Sequence, residues 1–251
     1  MPLRTVAATR YVAPLRQGGS LPALVEADDD GLYVVKLRGA GQGPRALVSE
    51  LVVGGLATAL GLPVPELALV DLDPHLADAE PDPEIQELLQ ASAGLNAGLD
   101  FLPGALPYLP GGGLSVDAEQ AAAVVWLDAL TENIDRTPRN TNLLVWHERL
   151  WLIDHGAALY RQHAGLDPDR AGGAFDAIAD HVLLPCAGSI SDADARLAPM
   201  VDRDLLTGLV AGVPGDWLLG TPPEAYVDYL SARLAQPRAW VAAAEEARTR
   251  G

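Results

Sequence analysis

Lysine is almost missing from this chain of 251 residues: Lys36 stands alone against sixteen arginines. Wherever a positive charge on a long stem suffices, arginine has served. The lone lysine therefore marks a place that needs a compact ammonium on a flexible stem. Cysteine is nearly missing too. Cys186 by itself excludes an intramolecular disulfide and fits a reducing compartment, and its apolar neighbours Val182, Leu183, Leu184 and Pro185 predict a buried thiol. Positive charge is scarce, with a formal net charge of −17. Such a field repels phosphate backbones and anionic lipid, which argues against nucleic acid and membrane as partners. A bound nucleotide stays compatible, because a divalent cation bridges carboxylates and phosphates. No signal-peptide core or apolar run of about 18 residues is present, so a cytoplasmic location is expected. The five histidines follow neither His-x-His nor His-Glu-x-x-His spacing, which argues against zinc.

What is there reads as α+β. Residues 11–15 and 21–27 are extended candidates flanking Gln17-Gly18-Gly19-Ser20, and the acidic turn Asp28-Asp29-Asp30-Gly31 leads into the Lys36 strand, a hairpin signal. After glycine-rich residues 38–44, Pro44 opens a helix running to about Leu60, with Leu47, Leu51, Leu56 and Leu60 near one stripe; Gly61 and Pro63 stop it. Residues 66–73 suggest another strand. The Pro-, Gly- and Asp-rich stretch 74–113 is expected to join two parts and to hold one short helix, 83–91. Residues 117–131 form a strongly apolar helix, 142–146 and 150–153 a hairpin, and the rest is helical. Ser191 and Thr221 open segments resembling capping boxes.

The most specific segment is Asn133-Ile134-Asp135-Arg136-Thr137-Pro138-Arg139-Asn140-Thr141-Asn142, followed by Ile153-Asp154-His155-Gly156. It sets Asp135 in a loop after a buried helix, Asn140 just before a strand, and Asp154 at the end of the return strand. A hairpin with Asn and Asp at its two ends gathers both on one rim, where their oxygens suit Mg²⁺ held by few protein ligands and by substrate phosphates. Asp135 can orient a hydroxyl. An Asp, an Asn five positions on, and a later Asp-x-Gly are the layout of phosphoryl transfer in kinases. Lys36 then contacts nucleotide phosphates. Glu50, an acid interrupting an apolar helix, is its expected partner. Asn142 is a rival to Asn140 for the metal, and His155 reads as packing beneath it.

With Leu60-Gly61-Leu62-Pro63-Val64-Pro65 and Leu102-Pro103-Gly104, these pieces resemble the HipA-like kinases over residues 21–159. The resemblance implies a two-lobed, protein-kinase-like fold: a small N-terminal sheet lobe, residues 1–98, and a mainly helical C-terminal lobe, residues 99–251. It implies Asp135 as catalytic aspartate, Lys36 and Glu50 as the phosphate-lysine pair, and Asn140 and Asp154 as metal ligands. The expected activity is transfer of the γ-phosphate of ATP, with Mg²⁺, to a hydroxyl of protein Ser/Thr or a small metabolite. A nucleotide-binding pseudokinase or an AMP transferase are the alternatives. The chain departs from protein kinases in lacking a G-x-G-x-x-G loop, for which Gly18, Gly19 and Ser20 are the nearest substitute. It also has His155 where many have Phe, Arg136 where an aliphatic residue is usual, and no Ala-Pro-Glu.

Overall fold

The computed structural model describes residues 3–15, 21–41 and 43–250. Five strands close into a barrel in the order β1-β2-β3-β5-β4: β1 (Arg4–Pro14), β2 (Ala23–Ala27), β3 (Leu32–Lys36), β4 (Leu67–Leu72) and β5 (Gly94–Asp100). All neighbours are antiparallel except β1 and β4, whose parallel pairing closes the ring. Strand alternation sorts the side chains. Val25, Tyr33, Val35, Ala68 and Val70 fill the interior, while Leu67, Leu69, Ala97 and Leu99 face outward onto helix α1 (Pro44–Ala59). Lys36 is out of phase with Tyr33 and Val35, so it joins the outward set. Helix α2 (Pro83–Ala91), capped by the Asp82 carboxylate on the Glu84 amide, closes the barrel's other side with Ile85 and Leu89.

The structure corrects the reading of residues 74–113, because the joining segment also supplies β5. Gly94, Asn96 and Gly98 make β5 a poor strand by propensity. The tertiary reason is at Gly98, where a Cβ would overlap Val70 at 2.4 Å. Helix α1 begins at Pro44 and stops at Gly61, as expected, with Gly61 at φ 77 and its amide on the Thr58 carbonyl. It has no single apolar stripe, however. Both sides are buried, because α1 lies between the β4–β5 surface and helix α5 (Arg203–Ala211). A Cβ at Gly55 would come 2.7 Å from Leu209.

Helix α3 (Ala118–Thr131), capped by Asp117 on the Gln120 amide, is the buried axis of the remaining chain. Around it pack α4 (Ile190–Leu197), α6 (Pro223–Leu234) and α7 (Ala239–Arg250). Trp126 and Trp240 are fully buried there, and Trp217 is fully buried in a turn that packs on α1. A small sheet of β6 (Leu106–Pro107), β7 (Leu143–Trp146) and β8 (Arg149–Leu152) carries the expected hairpin. Its turn is the pair His147-Glu148, both at positive φ, as a twist-matched two-residue loop requires. Two caps differ from expectation. Ser189, not Ser191, caps α4 by accepting from the Asp192 amide, and α6 starts after Pro222 without a side-chain cap. Cys186 is exposed rather than buried, because the 3-10 turn carrying it turns only Leu184 inward. Among the described residues no helix is long and apolar enough to cross a membrane.

Candidate active site

The last residue of β3 projects Lys36 toward α1, where two carboxylates meet its ammonium. Nζ donates to Glu50 Oε2 at 2.7 Å and to Asp154 Oδ1 at 2.5 Å. Glu50, in the middle of α1, is fully buried, and its Oε2 also accepts the His155 amide at 2.9 Å. Oε1 has no partner. Asp154 follows β8 and stands at φ 57, the left-handed region that costs a non-glycine residue about 1–2 kcal/mol. Strain of this kind persists where surrounding bonds hold it, and here the His155–Glu50 bond and the Lys36 pair do so. Burial opposes the Lys36 charge, but Glu50 and Asp154 outweigh it and hold its pKa above the ordinary value. Burial raises the pKa of Glu50 more than Lys36 lowers it. For Asp154 the balance tips the other way, and Lys36 holds it ionised below the usual range.

The second half of the site is the loop after α3. Asp135 is half-buried, and its Oδ2 accepts from Asn140 Nδ2 at 2.7 Å and Asn142 Nδ2 at 3.2 Å. The turn between them is closed by Thr137 and Asn140, which exchange backbone bonds of 2.9 and 3.2 Å. Asn140 is exposed, and its side-chain Nδ2 donates to Asp135 while its side-chain Oδ1 has no partner among the described residues. Asn142 is turned inward; its amide also donates to the Asp135 carbonyl at 3.1 Å, and its own carbonyl accepts the Ile153 amide.

Beneath the loop lies a buried network that sequence reasoning did not anticipate. Asp128, fully buried in α3, accepts from Asn133 Nδ2 at 3.0 Å, Arg136 Nε at 2.6 Å and His181 Nε2 at 2.9 Å. Burial works against its charge, but Arg136 and His181 prevail and hold the carboxyl well below the usual range. Arg136 also donates to the Asn142 and Ile153 carbonyls and, at 3.4 Å, to His155 Nδ1. One guanidinium thus ties the Asp135 loop to both ends of the hairpin. Burial, reinforced by the Arg136 charge, pushes the His155 imidazole down to about 3, so it stays neutral. The ring is fully buried against Gly54, as the packing reading expected. A signal for Asp128 existed: it interrupts an apolar helix just as Glu50 does.

Lys36, Asp135, Asn140, Asn142 and Asp154 line one cavity of about 460 Å³, walled also by Gly41, Gly43, Leu144 and Gly156. Glu50 stands behind Lys36. Gly18, Gly19 and Ser20 lie outside the described residues. Among the described residues no three His, Cys, Asp or Glu side chains could hold a metal together. The side chains of Asp135, Asn140 and Asp154 bring a few hard oxygens to this cavity, and Asp154 with Asn140 makes a set that suits Mg²⁺ completed by phosphates.

The architecture is similar to that of solved kinases. A Helicobacter pylori proinflammatory kinase, CtkA, superposes with a TM-score of 0.59 at 15% identity over 99% of both chains. The Golgi casein kinase gives 0.50 at 13% identity, over 98% of this chain and 74% of that one. No curated protein matches the sequence. Likeness at such identities establishes the fold class alone: a mixed α+β, kinase-like fold. The model of the HipA-like kinase family matches residues 9–225. The chain belongs to the HipA-like kinase family.

Proposed function

We propose that this protein transfers the γ-phosphate of ATP to a hydroxyl of protein Ser/Thr or a small metabolite, working as two lobes, residues 1–98 and 99–251, with the nucleotide between them. The observation that carries the reading is the Lys36 ammonium, bonded to Glu50 and Asp154 on the wall of a cavity that also holds Asp135 and Asn140. In this reading Lys36, positioned by Glu50, binds the α- and β-phosphates. Asp154 and Asn140 would hold Mg²⁺ through their side-chain oxygens. Bound Mg²⁺ supplies neutralisation of the phosphate charge. Asp135, oriented by Asn140 and Asn142, accepts a hydrogen bond from the acceptor hydroxyl and aligns it for attack. Little covalent chemistry is asked of the protein, so positioning and electrostatics provide most of the rate. Gly18, Gly19 and Ser20 are assigned to covering the phosphates, and the family supports the assignment of the whole set as kinase machinery.

Calorimetric titration of ATP with and without Mg²⁺, on wild type and Asp154→Ala, followed by assay of ADP release, tests this. Mg²⁺-dependent binding that Asp154→Ala weakens, with ADP released, is expected. Binding without ADP release on any hydroxyl acceptor identifies a nucleotide-binding module instead, and no binding at all removes the reading.

A further inference from the structure

A second cavity, of about 670 Å³, lies against the catalytic loop and shares no wall residue with the first. Thr137, Pro138 and Arg139 form one wall, so the short span between Asp135 and Asn140 is the partition between the two. Across from them stand Asp180, Leu184 and Arg248. Arg139 is exposed and has no hydrogen-bond or ion-pair partner among the described residues. That is unusual in this molecule, where acids outnumber bases. Among the described residues every arginine except Arg45, Arg139 and Arg149 is paired with a carboxylate. Arg45 has its Nε buried within the protein, and Arg149 belongs to the β7–β8 hairpin. Arg139 alone borders the catalytic loop with its charge unspent. Arg248, on the same cavity, is already neutralised by Glu245 at 2.5 Å.

We propose that Arg139 and this cavity recognise one acidic side chain of a polypeptide acceptor, close in sequence to the hydroxyl offered to Asp135. The inference rests on the phosphotransferase reading and names its substrate class. An unpaired guanidinium presents a planar fork that a carboxylate fills bidentately. The ligand is a single acid rather than a polyanion, because the unpaired Asp180 faces the same cavity and the whole molecule carries −17. We assign it to a polypeptide because the two cavities share no lining residue, and an extended chain offers a hydroxyl to one and an acid to the other. Arg139 is four positions after Asp135, so the two Cα atoms lie within about 14 Å, which an extended acceptor spans in roughly four residues. The global field by itself would select basic acceptors. An acidic preference therefore distinguishes the local site from the bulk charge.

The full chain, with ATP and Mg²⁺, is assayed on a positional-scanning peptide library with a fixed serine or threonine. The expected result is selection of Asp or Glu over Lys or Arg, by about tenfold or more, at one position within four residues of the acceptor. Arg139→Lys, which keeps the charge but not the planar fork, weakens that preference, and Arg139→Glu inverts it, an inversion that misfolding cannot produce. Basic or neutral selection by wild type, an unchanged preference in Arg139→Glu, or ATP consumption with no peptide phosphorylated would each overturn the proposal while leaving the nucleotide site standing. Absence of Mg²⁺-dependent ATP binding in the calorimeter removes the phosphotransferase reading itself, and this inference with it.

Discussion

Glu50 and Asp128 are both fully buried acids in apolar helices, yet their surroundings drive them in opposite directions. Asp128 receives donors from Asn133, Arg136 and His181, and burial is overcome. Glu50 has one backbone amide and a single ammonium that it shares with Asp154, and one of its oxygens has no partner. The saturated cluster is a fixture: it clamps the Asp135 loop to the hairpin, and none of its bonds has another use. The under-satisfied cluster has room to exchange partners, and in the proposed reading the three donors of Lys36 let it meet a phosphate without stranding either carboxylate. Buried charge here stabilises in one place and is held ready in the other.

The comparison can be broken most forcefully at Asp135. Asp135→Ala removes no buried charge and should leave unfolding by urea nearly unchanged, while transfer of phosphate falls by about 10²–10⁴-fold. A fully active Asp135→Ala protein would put the chemistry elsewhere. Next comes Asp128→Ala, which strands the buried Arg136 and should cost about 3–5 kcal/mol in equilibrium unfolding. Glu50→Gln keeps an acceptor for Lys36 and for the His155 amide. It should cost only about 1–2 kcal/mol, yet lower kcat/KM for ATP turnover by about 10²-fold through misplacement of Lys36. Equal destabilisation by Asp128→Ala and Glu50→Gln would erase the distinction between the clusters.

The smallest effect is in the pH dependence. Burial lowers the His181 pKa more than Asp128 raises it, so the folded state binds its proton later than the unfolded state, whose histidine titrates near 6.5. Between those two values the unfolded state carries more protons. Stability is therefore complete above about pH 6.5 and declines as the pH falls, with a slope of at most about 1.4 kcal/mol per pH unit for this group. His155, with its pKa near 3, adds to the same trend. His181→Gln retains a donor toward Asp128 and should flatten the decline; an unaltered slope would show that His181 does not contribute.

Much of the candidate site was legible because its signals are local. A lone lysine in a strand, an acid within an apolar helix, and Asp135, Asn140 and Asp154 around a hairpin are read along the chain without knowing what packs on what. The Asp128 network was missed for the opposite reason. His181 is 53 residues from its partner, and Arg136 counted only as a departure from the usual aliphatic residue. Strand β5 was hidden because Gly98 obeys the crowding of the barrel interior rather than strand propensity. Cys186 was misjudged because apolar neighbours in sequence do not determine which way a 3-10 turn faces.

By itself the sequence determined which chemistry was available and the order in which its groups occur, since residue type, spacing and alternation are properties of the chain. Only the tertiary structure decided how much each charge is satisfied. That depends on how many donors converge on one buried oxygen from α1, α3, the hairpin and the turn at His181, and convergence of distant segments leaves no periodic trace in the chain.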